Sequence, residues 1–149
     1  KTAEFAEALG VKKVVFQTAA SFYPSEDHIK NLRQFFKKVK RHHFIFIWES
    51  RGKWEREHVE RICTDQGIVP CLDAFAGKPV RGELLYVRLH GRTGYQYRYS
   101  DEEMKELIRT GETFPSAYLM FNNVNMYEDS RHLKELLEEK GSMENLRVA

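Results

Sequence analysis

Cysteine, proline and a surplus of one charge sign are all scarce in this chain. Its 149 residues hold two cysteines and four prolines, and 24 Lys+Arg against 22 Asp+Glu leave a formal net charge of +2. Two thiols, Cys63 and Cys71, are too few for a disulfide scaffold and read as the reduced thiols of a cytoplasmic protein. The near-balanced charge argues against a broad basic footprint for nucleic acid and against charge-driven membrane association. No apolar run is long enough to span a bilayer and the opening residues do not read as a signal peptide, so no membrane partner is expected. HxH, HExxH and CxxC spacings are missing, so no metal site is expected, and no motif names a cofactor. Low-complexity segments are missing too.

What is present suits a packed core. Hydrophobic residues make up 42% of the chain, which excludes a disordered polypeptide and fits one domain over residues 1–149. The chain opens at Lys1, without Met, inside a helical pattern in which Phe5, Ala8 and Leu9 share a face. That opening leads to the expectation of a longer polypeptide.

Apolar spacing then switches repeatedly between strand and helix periods. Val14–Phe16 is a short β-branched and aromatic run. Ser25 is placed to cap a helix with the stripe Ile29, Leu32, Phe35, Phe36 and Val39. Phe44–Trp48 is uninterruptedly apolar, as suits a parallel strand covered on both faces. A helix is expected over 54–66, a strand over 68–72, a loop containing Pro79 over 73–83, and a strand over 84–89. Ser100 and Glu103 form a capping box for the next helix. Ala117–Phe121 is the last expected strand, and a helix carrying Leu133, Leu136 and Leu137 ends at Gly141 before a polar, fraying tail. Five strands alternating with helices predict an α/β fold with a parallel sheet.

Polar residues gather where these strands end, the edge at which α/β proteins place ligands. Gln17 follows the first run, Glu49 and Arg51 the second, Asp73 the third, Arg88, His90 and Arg92 lie in and after the fourth, and Asn122 and Asn123 follow the fifth. Glu49, Arg51, Asp73, Arg88, His90 and Asn122 are therefore expected to converge on one pocket. Strand alternation sets Glu49 with Arg51 and Arg88 with His90 on common faces. An arginine inside an apolar strand needs a carboxylate or an anionic ligand, and Glu49 and Asp73 are the candidate carboxylates. A plain internal ion pair is the competing reading for Arg88 and Glu49. Glu49, His90 and Asp73 are the candidate catalytic residues, His90 because imidazole titrates near neutrality. Tyr95 belongs to a segment, Gly91 to Tyr99, whose arginines and alternating tyrosines suit either ligand stacking or a packed lid.

The run Tyr86-Val87-Arg88-Leu89-His90-Gly91-Arg92, followed by Tyr95 and Tyr99-Ser100, resembles a segment of the YecE-like family, a domain of unknown function. Trp48-Glu49-Ser50-Arg51 with Trp54, and Phe121-Asn122-Asn123 with Met126 and Asp129-Ser130, resemble two further family segments. Gln17-Thr18-Ala19 stands where many relatives have Gln-x-Pro. The resemblance implies a TIM-barrel-like (β/α) fold, parallel-stranded, in which the present chain is incomplete at its N-terminus. It supplies no reaction. Gln17, Arg51, Trp54, Arg88, Arg92, Tyr95, Asn122 and Asn123 are the expected substrate-binding residues, for an anionic, phosphorylated or carboxylated small molecule handled by Glu/His acid–base chemistry. A nucleic-acid-binding or nuclease-related protein is one alternative, and a non-catalytic small-molecule binding module is the other. A barrel with missing strands leaves an open sheet, so further N-terminal residues or a second copy of the chain are expected to cover it.

Overall fold

The computed structural model describes residues 2–75, 77, 82–141 and 146–149, so Pro79 and part of its loop lie outside the described residues. The chain divides into two compact units, Lys1–Cys71 and Leu72–Ala149.

In the first unit the elements run α1 (Thr2–Ala8), β1 (Lys13–Thr18), α2 (Glu26–Lys38), β2 (Ile45–Ser50), α3 (Arg56–Gln66) and β3, which begins at Val69 and ends at Leu72. β1 pairs parallel to β2 along its whole length, Val15 opposite Ile47 and Gln17 opposite Glu49, and Ile47 and Trp48 pair with Val69 and Pro70 of β3. Ser25 caps α2 by accepting the His28 N–H, and Glu26, Asp27 and Lys37, Lys38 complement its dipole at the two ends. The core joins Phe46 and Trp48 of β2 to Leu32 and Phe36 of α2 and Val59 and Ile62 of α3. Phe16 sits at its centre of aromatic contacts, edge-on to Phe35, Phe36 and Phe46 at 4.8–5.4 Å. Burying side chains of this size contributes about 1.5–3 kcal/mol each.

In the second unit the order is β4 (Leu84–Leu89), α4 (Asp101–Glu112), β5 (Ser116–Phe121), α5 (Met126–Lys140) and β6 (Leu146–Val148). β4 and β5 pair parallel, Tyr86 opposite Tyr118 and Arg88 opposite Met120, and β6 pairs parallel to β5 with Arg147 opposite Tyr118. Leu85, Val87, Leu89, Ala117, Leu119, Phe121 and Leu146 bury against Met104, Leu107 and Ile108 of α4 and Leu133 and Leu137 of α5.

The fold class is thus α/β with parallel strand pairing and helices between strands, the (β/α) succession of a TIM-barrel-like fold. Several boundaries differ from the sequence expectation. β1 and β2 extend past their apolar runs, so Gln17 and Glu49 lie inside strands rather than after them. Helix α3 starts at Arg56, leaving Trp54 in the preceding turn. The largest correction is a sixth strand: β6 lies in the tail that was expected to fray. Leu146 buries there against Gly111, where an added Cβ would stand 2.7 Å from Leu146 Cδ2. Three residues are too few to carry a strand period, so local pattern misses an element held by one buried leucine.

Gly52 shows how tightly the turn before α3 is built. Trp54 Nε1–H donates to the Phe22 carbonyl at 2.6 Å, and a Cβ on Gly52 would stand 2.3 Å from that same oxygen. Gly52→Ala is expected to destabilise by about 1–3 kcal/mol, as overpacking against fixed backbone does. Chemical denaturation measures it, and a change below about 0.5 kcal/mol would show that the Phe22 loop yields freely.

Candidate functional site

Each unit gathers its own share of the polar residues at the C-terminal ends of its strands. In the first unit Gln17 and Glu49 are register partners. Glu49 is buried, and Arg51 Nη1 approaches its Oε1 at 3.8 Å. The Thr18 hydroxyl donates to the Glu49 carbonyl and accepts from Trp48 Nε1–H, which ties the two strand ends together. Gln17 also lines a cleft of about 490 Å³ between β1 and α2, with Val15, Phe22, Phe35 and Trp48. Trp54, an expected ligand-binding residue, stacks on Phe22 at 5.8 Å and meets the edge of Trp48 at 5.0 Å, so its ring is committed to packing.

In the second unit, alternation along β4 and β5 sends Leu85, Val87 and Leu89, with Ala117, Leu119 and Phe121, toward α4 and α5. Tyr86, Arg88, Tyr118 and Met120 take the opposite face, and Arg147 joins them from β6 by its register with Tyr118. Tyr86 and Tyr118 stack there with centroids 6.1 Å apart. His90 and Asn122 continue that face beyond the strand ends. Asn122 Nδ2 lies 2.9 Å from His90 Nδ1, and the Asn122 backbone N–H donates to the Leu89 carbonyl. Tyr95, half exposed, sets its ring at 90° to His90 with centroids 5.9 Å apart. Two guanidinium groups and an imidazole therefore share one face of this unit.

The segment between β4 and α4 is anchored from several sides. Gly91 N–H donates to the Tyr99 hydroxyl, Val124 N–H to the Tyr95 carbonyl, and Asn125 Nδ2 to the Tyr97 carbonyl. Gly91 takes φ +88, and a Cβ there would stand 2.2 Å from the Gly94 carbonyl oxygen, so only glycine makes this turn. Arg92, expected on the ligand, donates to Glu103 Oε1 at 2.9 Å and lies over the Phe75 ring at 5.2 Å. Asp73 accepts the Phe75 N–H at 2.9 Å, a local turn role. Asn123 is buried, its Nδ2 donating to the Tyr97 carbonyl and to Asp129 Oδ2. The structure thus brings Gln17 together with Glu49 and Arg51, and Arg88 with His90, Asn122 and Tyr95, while Trp54, Asp73, Arg92 and Asn123 serve packing and turns.

Two carboxylates absent from the expected set prove central to this unit. Glu103 was legible only as a helix cap. In the fold it accepts from the Ser100 N–H, the Tyr97 hydroxyl at 2.6 Å and Arg92. Burial opposes its charge, but the Tyr97 and Ser100 hydrogen bonds and then Arg92 outweigh it and hold the carboxyl down at about 2, from an ordinary 4.5. Asp129 is pushed upward by burial against the pull of Asn123. Burial likewise raises Tyr99 to about 12, against its Gly91 hydrogen bond, and lifts the Cys63 thiol to about 12, with Glu60 adding to the effect. Cys63 therefore stays a protonated thiol, a core residue rather than a nucleophile. Among the described residues no three His, Cys, Asp or Glu side chains group closely enough to hold a metal ion, and no helix is long and apolar enough to cross a membrane.

Parallel strands separated by helices, with polar side chains at their C-terminal ends, define a (β/α) protein. The chain belongs to the family described as Protein of unknown function DUF72, the YecE-like family, whose model matches residues 2–147. No curated protein and no solved structure matches the chain.

The Glu103 network gives a pH signature. A carboxylate depressed by its native partners stabilises the fold above its unfolded-state value, and that contribution is lost as pH falls from about 4.5 toward about 2. With solvent screening at half-exposed Arg92 allowed for, it amounts to about 2 kcal/mol at neutral pH. Glu103→Gln keeps a capping side chain but removes the charge. It is expected to lower stability by that amount at pH 7 and by only about a quarter of it at pH 2.5. Equal losses at both pH values would mean that shape, not charge, matters there.

Proposed function

We propose that this DUF72 protein is an enzyme that binds an anionic small molecule, phosphorylated or carboxylated, at the C-terminal ends of its parallel strands. The carrying observation is the face of β4–β5–β6 on which register and alternation set Arg88, Arg147 and His90 together. Fixed guanidinium groups favour carboxylate or phosphate oxygens because two parallel N–H donors match two acceptors. Tyr95 and Asn122 flank His90 and limit how a ligand approaches it. His90 is the group on this face assigned to acid–base chemistry. Arg88, His90 and Asn122 are half-buried while Arg147 is exposed, and the near-balanced charge of the chain favours a compact ligand over a polyanionic backbone.

The test is thermal stabilisation by inorganic phosphate, a sugar phosphate and a dicarboxylate. A ligand at 100 times its Kd stabilises by about 2.7 kcal/mol. Arg88→Met retains most of the apolar stem volume and removes the guanidinium, whereas Arg88→Ala removes both. Both variants are expected to lose the stabilisation, with Arg88→Ala the less stable protein. A parent that responds to none of the three anions, or an Arg88→Met variant that responds fully, overturns the reading.

A further inference from the structure

Asn122 was expected to orient substrate, yet its amide is aimed at another side chain. Its Nδ2 lies 2.9 Å from His90 Nδ1. An amide NH2 has no lone pair to offer, so this contact holds only when Nδ1 is the acceptor. An imidazole whose Nδ1 accepts is, when neutral, protonated at Nε2. The backbone from which this amide reaches is held in place, since the Asn122 N–H donates to the Leu89 carbonyl at 2.9 Å, at the point where β5 ends. Tyr95, edge-on at 5.9 Å, restricts rotation of the imidazole from another side. Tyr95 is itself fixed by the Val124 N–H on its carbonyl, at 2.7 Å.

We infer that Asn122 is a positioning residue that sets His90 in its Nε2–H tautomer, so that neutral His90 meets a bound anion as a hydrogen-bond donor rather than as a base. The inference rests on the proposed anion site for its functional consequence, but the tautomer itself does not. On the face that carries Arg88 and Arg147, an Nε2–H donor is what a phosphate or carboxylate oxygen needs, and an Nε2 lone pair would repel it. The proton-accepting part of any reaction then falls to a group other than neutral His90.

Histidine-selective ¹⁵N labelling and long-range ¹H–¹⁵N correlation spectra, recorded where the imidazole is neutral, read the tautomer directly. The chain has six histidines, and His90→Gln identifies the signal. The expected result is a bare, hydrogen-bonded Nδ1 and a protonated Nε2, with a scalar coupling across the hydrogen bond to the Asn122 amide nitrogen. Asn122→Asp, whose carboxylate only accepts, is expected to reverse the tautomer to Nδ1–H, and Asn122→Leu to remove the coupling and move the Nδ1 signal. Inorganic phosphate is expected to shift the parent's Nε2–H signal, and to bind at least tenfold more weakly to Asn122→Asp. A protonated Nδ1 in the parent, or His90 signals in Asn122→Leu identical to the parent's, overturns the assignment. An Nε2–H parent whose signal phosphate does not move supports the role of Asn122 and overturns the anion-binding reading instead.

Discussion

A parallel strand pair obliges the chain to cross back over the sheet before each new strand begins, and the crossover is a helix packed on one face. Everything at the polar edge depends on that constraint. All strands of a unit end at the same edge, so residues far apart in sequence arrive there together: Gln17 beside Glu49, and His90 beside Asn122. Alternation then divides the side chains. Val87, Leu89, Leu119 and Phe121 sink under α4 and α5, while Arg88 and the two tyrosines Tyr86 and Tyr118 are sent to the other face. A shift of one residue in the β4–β5 register would exchange these sets and bury an arginine in the helix-facing core.

The second unit also shows how a protein holds a polar segment still without burying it in apolar packing. Glu103 receives hydrogen bonds from a hydroxyl, a backbone amide and a guanidinium, so its desolvation is offset. Asn123 and Asn125 take up the Tyr97 carbonyl, and the buried Tyr99 hydroxyl holds Gly91. These contacts fix Tyr95 against His90. The arginine of this segment, Arg92, joins the network through Glu103, and Arg88 lies within β4. Polar groups adjacent in sequence are thus separated by what each one touches.

Much of this was legible beforehand. Apolar runs located five of the six described strands, and the Ser100–Glu103 spacing identified a capping box that the structure contains with both of its hydrogen bonds. The polar clusters after Trp48, Leu89 and Phe121 marked the relevant edge, because ionisable residues are costly in apolar strands and stand out against them. Harder to see was which polar residue does what. Trp54 and Asn123 look as available in sequence as Tyr95 and Asn122, but Trp54 is spent on Phe22 and Trp48, and Asn123 on Tyr97 and Asp129. Those partners lie six to thirty-two residues away, and no local spacing encodes them.

The sequence by itself determined the α/β class, the parallel succession of strands and helices, the helix caps and the edge at which polar groups collect, because these follow from hydrophobic period and short-range capping chemistry. Only tertiary structure decided that the tail folds as β6, that Glu103 anchors the segment before it, and that Asn122 reaches His90. Each of these depends on one contact between residues distant in the chain: Leu146 on Gly111, Arg92 on Glu103, Asn122 on His90. Such contacts exist only once strand register has set the distances, which is why the same side chains read alike in sequence and act differently in the fold.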